Sequence, residues 1–259
     1  MGDYFTMSEA VISVNNLTKR YGSFTAANSL SFEVYKGEIF GLLGPNGAGK
    51  TTTLEIIETL REPDSGTINV LGMDWASHKH QIRSRIGIQL QSSDYFPNLN
   101  LVEVLQLFAA LYQSSVKPME VLATVGLESK AKTQFKDLSG GQQQRFSIAT
   151  TFINDPDIIF LDEPTTGLDP QARRNLWELI RSLKDRGATV VLTTHYMDEA
   201  EELADRVAII DSGNILRLDT PDNLIDQLIE KGFHKTKSTK QANLEDVFLD
   251  LTGKNLRES

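Results

Sequence analysis

Residues 44–52 read GPNGAGKTT. The spacing G-x-x-x-x-G-K-[ST] runs from Gly44 to Thr51. Gly44, Gly47 and Gly49 let backbone N–H groups turn inward and approach a phosphate closely. Pro45, Asn46 and Ala48 complete the loop, and Thr52 follows it. Lys50 has the reach for the outer phosphates of a nucleotide, and the Thr51 hydroxyl suits a magnesium ion. The motif implies a nucleotide site without separating a kinase, a GTPase, a helicase, a recombinase or a transport motor.

A second group lies in IIFLDEPTTGLD, residues 158–169. An apolar strand ending in Asp162-Glu163 places both acids at one sheet edge, beside the glycine loop. Asp162 is suited to hold magnesium through water. Glu163 is suited to polarise an attacking water as a general base. His195 follows the apolar run of TVVLTTHYMDEA and reaches the same edge. Gln91 ends IGIQLQ and is a candidate to meet magnesium or the attacking water. LSGGQ, residues 138–142, is a small-residue turn of Ser139, Gly140 and Gly141 that leads through Gln142 into a helical run. A helix N-terminus opened in this way is a second anion-binding feature. Two such helix ends with one magnesium site suggest that the second serves a nucleotide held by another copy of the chain.

These residues need a scaffold of alternating elements. VISV (11–14), SLSFEV (29–34), EIFGLLG, TINVLG and IGIQL read as strands, as do runs at 158–161, 189–193, 206–210 and 215–218. EIFGLLG is apolar throughout, as in a buried strand. Behind the loop, Leu54, Ile57 and Leu60 share one helical face. Residues 100–153 have helical periodicity, with Leu101, Val104, Leu105 and Phe108 on one face, and residues 171–185 are helical. Strands alternating with helices imply an α/β fold with a mainly parallel sheet. Residues 232–240 read as a mobile connection to a short helix at 243–252, where Leu244, Val247, Phe248 and Leu251 make one stripe.

The 259 residues suffice for one large domain or two small ones with a sizeable core. A net charge of −9 argues against wrapping nucleic acid through a broad basic face. The chain has no cysteine, hence no disulfide or thiolate metal site, which suits a reducing compartment. MGDYFTMSEA lacks an apolar run of signal length, and Met7 is an alternative start. No segment approaches the roughly 18 apolar residues that span a bilayer. Work at a membrane would therefore require another chain.

Taken in order, these motifs resemble the ATP-binding subunit of an ABC transporter over about residues 11–220. The resemblance implies ATP and Mg2+ as cofactors and a P-loop NTPase (RecA-like) sheet core. An antiparallel β subdomain, a helical insertion and a short C-terminal helical tail should accompany that core. It implies an ATPase domain over 8–230, with core segments 8–90 and 154–230, a helical subdomain at 91–153 and a tail at 231–259. By the same resemblance, Tyr21 in KRYG stacks on adenine and residues 44–52 hold the phosphates. Gln91 couples to the membrane partner, and Ser139 to Gln142 form the signature. Asp162 binds magnesium, Glu163 is the catalytic glutamate, Gly167, Leu168 and Asp169 line the dimer interface, and His195 senses the γ-phosphate.

The implied partners are a separate transmembrane permease and a second copy or a homologous ATPase subunit. No nucleic acid is expected. The implied location is cytoplasmic, on the inner face of the membrane. Tyr95 and Phe96, in the polar loop at 91–101, are the expected docking surface, with buried support of the helical insertion as the alternative role. NLEDVFLDLTG (243–253) resembles the tail of ATPases serving drug-, lipid- or polysaccharide-exporting permeases. The competing readings are a soluble ABC ATPase of translation, repair or cluster assembly, and a regulatory module without turnover.

Overall fold

The computed structural model describes residues 9–91, 95–233 and 244–252. Strands β1 (Ala10–Tyr21) and β2 (Phe24–Tyr35) form a long hairpin. They join β4 (Ser65–Val70) and β5 (Met73–Asp74) in a four-stranded antiparallel sheet of order β2-β1-β4-β5. β1 is much longer than its VISV motif. Register shifts after Val14 and Leu17, with Asn16 at φ 52°, break the alternation that would have revealed the rest of the strand.

The second sheet contains β3 (Ile39–Leu43), β6 (Ile86–Gln89), β7 (Ile158–Asp162), β8 (Thr189–Thr194), β9 (Arg206–Asp211) and β10 (Asn214–Asp219). Its order is β10-β9-β3-β8-β7-β6, with every pairing parallel except that of β10 with β9. β3 is buried along its whole length, as its unbroken apolar run requires. Phe40 of β3 stacks on Phe32 of β2 with ring centroids 5.5 Å apart, joining the two sheets across one core.

Helices α1 (Lys50–Ile57) and α2 (Lys79–Arg83) lie on the antiparallel side. The insertion supplies α3 (Leu101–Tyr112), α4 (Pro118–Thr124) and α5 (Gly140–Thr150). It shares a second core with α6 (Pro170–Asp185), from which Leu176, Leu179, Ile180 and Leu183 project. α7 (Met197–Leu203), α8 (Pro221–Glu230) and α9 (Leu244–Thr252) enclose a third core, where Leu244, Val247 and Phe248 meet Met197, Leu224 and Leu228. The stripe foreseen on α9 is thus a packing face. α8 was not foreseen, although Thr220 as N-cap, Pro221 at the first position and Leu224/Leu228 at helical spacing carry its signal. Most of the expected mobile connection, 234–240, and residue 243 of the expected tail helix lie outside the described residues. Among the described residues, no helix is long and apolar enough to cross a membrane.

Glu58, at the C-terminal end of α1, is an exception to the apolar core. It is 1% exposed, and its Oε1 has no hydrogen-bond partner. Burial, reinforced by repulsion from Asp162 and Glu55, pushes its pKa up to about 8. The folded chain therefore holds this proton more tightly than the unfolded chain. The associated stability is fully present below pH 4.5 and is lost as pH rises towards 8. Glu58→Gln, neutral at every pH, should melt like the parent at pH 5 and higher than it at pH 8.5. The ceiling on the gain is roughly 5 kcal/mol, from about 1.4 kcal/mol per pH unit across that interval. Parallel melting profiles of the two proteins from pH 5 to 8.5 would contradict this.

Candidate active site

The phosphate loop leaves β3 at Gly44 and enters α1 at Lys50. Its glycines are required for two different reasons. A Cβ on Gly44 would lie 2.1 Å from the Ile210 carbonyl oxygen, and one on Gly49 would lie 1.9 Å from that of Ala26. Both are pressed against neighbouring backbone. Gly47 has free space but a φ of +78°, so its constraint is conformational. Gly213 N donates to the Ala48 carbonyl at 3.0 Å, bracing the loop from the β9–β10 turn.

Lys50 is buried, and its Nζ donates to the carbonyls of Gly44 (2.9 Å) and Pro45 (3.0 Å). Burial lowers its pKa, with Glu163 opposing. The lysine thus curls over the loop that would hold a phosphate. Thr51 Oγ1 donates to Asp162 Oδ1 at 3.2 Å, and Thr193 Oγ1 donates to the same oxygen. Burial raises the Asp162 pKa against these two hydrogen bonds.

β7 ends at Asp162, and Glu163 turns out of the strand with φ 49°. Its amide is held by the Thr193 carbonyl (3.2 Å) and hydroxyl (3.0 Å). That turn places its carboxylate among four groups. Lys50 Nζ lies 3.5 Å from Oε1 and His195 Nδ1 lies 3.2 Å from it. Gln91 Nε2 and Thr166 Oγ1 donate to Oε2 at 3.4 and 3.2 Å. Burial works to raise the Glu163 pKa. Lys50, His195 and Thr166 outweigh it, so the carboxyl lies below its usual value. The group is buried yet ionised, as a general base must be to accept a proton at neutral pH.

Lys50, Thr51, Gln91, Asp162, Glu163 and His195, recognised separately in the sequence, therefore form one cluster. Thr193 and Thr166, which hold its two acids, were not singled out. Their signal is weak: a threonine pair closing a strand and another following Glu163. Gln91 lies two residues beyond β6 rather than at its end. Tyr21 ends β1 with 40% exposure, Arg61 and Lys19 at 5.5 and 5.7 Å from its ring centre. Among the described residues, no hydrogen bond or ion pair joins Tyr21, the LSGGQ residues or Asp169 to the cluster.

Ser139 and Gln142 instead form a capping box on α5, with the Ser139 hydroxyl accepting from the Gln142 amide at 3.4 Å. Gly141 is close-packed, since a Cβ there would lie 3.1 Å from that of Ala172, whereas Gly140 has nothing within 4 Å. Asp169 caps α6 through the amides of Gln171 and Ala172.

Tyr95 takes the alternative role, support of the helical insertion. Its ring packs against those of Phe108, Phe135 and Phe146, with centroids 6.2, 4.6 and 5.2 Å away. It supports the helical insertion from within. Phe96, the next residue, is 58% exposed. Residues 92–94 of that loop lie outside the described residues.

The oxygen-rich pair Thr51 and Asp162, with the amide of Gln91 near Glu163, suits a hard cation such as magnesium. Among the described residues, no group of three His, Asp or Glu could hold a metal alone. A cation at this place would complete its shell with oxygens from water or phosphate.

Comparison with known proteins gives one consistent answer. The family model described as ABC transporter matches residues 27–166. A protein of Ralstonia nicotianae named Nod factor export ATP-binding protein I is 43% identical over 223 residues, covering 84% of this chain and 70% of that protein. Its namesake from Burkholderia lata is 44% identical over 230 residues, covering 86% and 75%. A solved ATP-binding subunit of an ABC transporter superposes with a TM-score of 0.79 at 28% identity, covering 93% of this chain and 99% of that one. A dimeric ATP-binding cassette in a post-hydrolysis state, bound to ADP and Pi, superposes with a TM-score of 0.72 at 28% identity, covering 81% and 98%.

Proposed function

Since the chain belongs to the ABC transporter family of ATP-binding, ATP-hydrolysing proteins, we propose that it powers a separate membrane permease by closing on a second ATPase subunit around two ATP molecules. The observation that carries this reading is the Glu163 carboxylate, held between Lys50 and His195 at the mouth of the phosphate loop. In this reading the amides of residues 44–52 receive the phosphates, and Tyr21 offers its ring to the adenine. Thr51, Asp162 and Gln91 face magnesium, which when bound supplies positive charge to offset that building on the phosphate oxygens.

Lys50 and His195 are now shared with Glu163. A γ-phosphate is a stronger partner for both and draws them away. The freed carboxylate then takes a proton from a water as that water's oxygen bonds to the γ-phosphorus. The bond to the β-phosphate oxygen breaks, giving ADP and phosphate. The second subunit contributes Ser139 to Gln142 across the interface. Gly140 fits this role, because a Cβ there would meet nothing within 4 Å among the described residues, leaving its backbone open to a partner.

Relatives named for export favour an exporter. The permease would place the chain at the cytoplasmic face of the membrane. A non-transport ABC ATPase is not favoured. Among the described residues of the docking loop, Phe96 offers an exposed aromatic ring for this contact. Affinity capture of the tagged chain from membranes should recover its permease from the parent. Phe96→Ser should lose the permease while keeping ATP binding and melting temperature. Tyr95→Ala should lower stability by roughly 2–4 kcal/mol through its emptied aromatic nest. Undiminished capture with Phe96→Ser would remove Phe96 from the contact, and capture of no membrane protein by the parent would count against the transport reading.

A further inference from the structure

α6 and α7 are fastened together beside the active cluster by contacts that the mechanism above does not use. Asp169 caps α6, and Arg173 lies one turn further along it. The Arg173 guanidinium lies 4.5 Å from the ring centre of Tyr196, and its Nη1 donates to Asp198 Oδ2 at 3.1 Å. The Tyr196 ring in turn packs against the His195 ring, with centroids 4.1 Å apart. A turn later, Trp177 Nε1 donates to Glu199 Oε1 at 3.2 Å. Glu199 is fully buried, beside the hydroxyls of Thr194 and Thr165, two residues from Glu163. These contacts join the start of α6 to the start of α7, with His195 at one end and Asp169 at the other.

The cation is better placed for this task than for stability. Asp198 is exposed and Arg173 half-buried, and an ion pair with its carboxylate in solvent contributes little to folding. The guanidinium, by contrast, sits 4.5 Å from the centre of the Tyr196 ring, the ring against which His195 packs. We propose that Arg173 is a positioning residue: through Tyr196 and Asp198 it holds the His195 ring in line with Glu163 and ties it to the Asp169 loop, so that contact with the second subunit is felt at the γ-phosphate. This rests on the reading of His195 given above.

Phosphate release from the full chain, assembled with its partners, tests this in the parent and in His195→Ala. Arg173→Ala should lower kcat about tenfold, the scale of a slightly misplaced group, with KM for ATP within about twofold. In the His195→Ala background the same change should cost nothing further, because the two residues act in series. Arg173→Lys keeps the charge opposite Asp198 without the flat stack and should recover less than half of the lost rate. Tyr196→Leu, which leaves Arg173 in place, should reproduce the kcat loss and keeps the test available if Arg173→Ala does not fold.

An equal cost in both backgrounds, an unchanged kcat for Arg173→Ala, or full recovery with lysine would overturn the proposal. Full turnover by His195→Ala itself would instead overturn the reading of His195 on which the proposal stands.

Discussion

Glu163→Gln should lower ATP turnover by roughly 10²–10⁴-fold, the range for removal of a general base, without loss of nucleotide binding. The amide matches the carboxylate in shape, and the β7 turn that aims it is set by Thr193 holding the Glu163 backbone. What disappears is the charge. Lys50 and His195 would then face a neutral group at the positions where they now meet Oε1 at 3.5 and 3.2 Å. Neither would have to be drawn away by the γ-phosphate, so ATP affinity should hold or rise. With hydrolysis blocked and binding intact, the closed state should accumulate. Light scattering of Glu163→Gln should show a doubling of mass on adding ATP with magnesium. Turnover at the parental rate would remove Glu163 as the base. A single mass under all conditions, with ATP demonstrably bound, would mean that closure requires the permease or a different ATPase subunit.

Most of the cluster was legible because its members close short-range patterns, whereas Gln91 carries no such pattern of its own. Lys50 and Thr51 end a glycine spacing, Asp162 and Glu163 end an apolar run, and His195 follows another. Parallel pairing of β3, β7 and β8 then brings these strand ends to one sheet edge, as such sheets do. What the sequence concealed was long-range. Tyr95 stands in a polar loop where docking and buried support were both open, and the rings that decide for support come from residues 108, 135 and 146. No local window contains them. Thr193 looks like one more β-branched strand residue until the fold sets it between Asp162 and the amide of Glu163. Arg173 is one of several basic residues on an exposed helix face, and its neighbours Tyr196 and Asp198 lie over twenty positions away. The long β1 was obscured for a different reason, since bulges interrupt the period of two from which strands are read.

Gly140→Arg should abolish ATP-driven pairing while sparing the fold and ATP binding. A Cβ at Gly140 meets nothing within 4 Å, and replacing glycine in a helix's first turn lowers its conformational entropy cost by up to about 1 kcal/mol. The isolated subunit has no reason to reject the arginine. A second subunit bringing ATP to the exposed cap of α5 would meet its side chain instead of open backbone. Introduced into Glu163→Gln, the change should leave the mass monomeric with ATP bound. In the parent, turnover should fall at least about a hundredfold through loss of hydrogen-bond donors to the transferring phosphate. Gly141→Arg makes the contrast informative. That glycine faces α6, where a Cβ would already lie 3.1 Å from that of Ala172. Its arginine should lower the melting temperature, which Gly140→Arg should not. Adjacent glycines in one motif thus have different surroundings: Gly141 faces the chain's own α6, whereas a Cβ at Gly140 meets nothing within 4 Å among the described residues. ATP-dependent dimers of Gly140→Arg/Glu163→Gln would show that the partner's nucleotide does not approach this helix end.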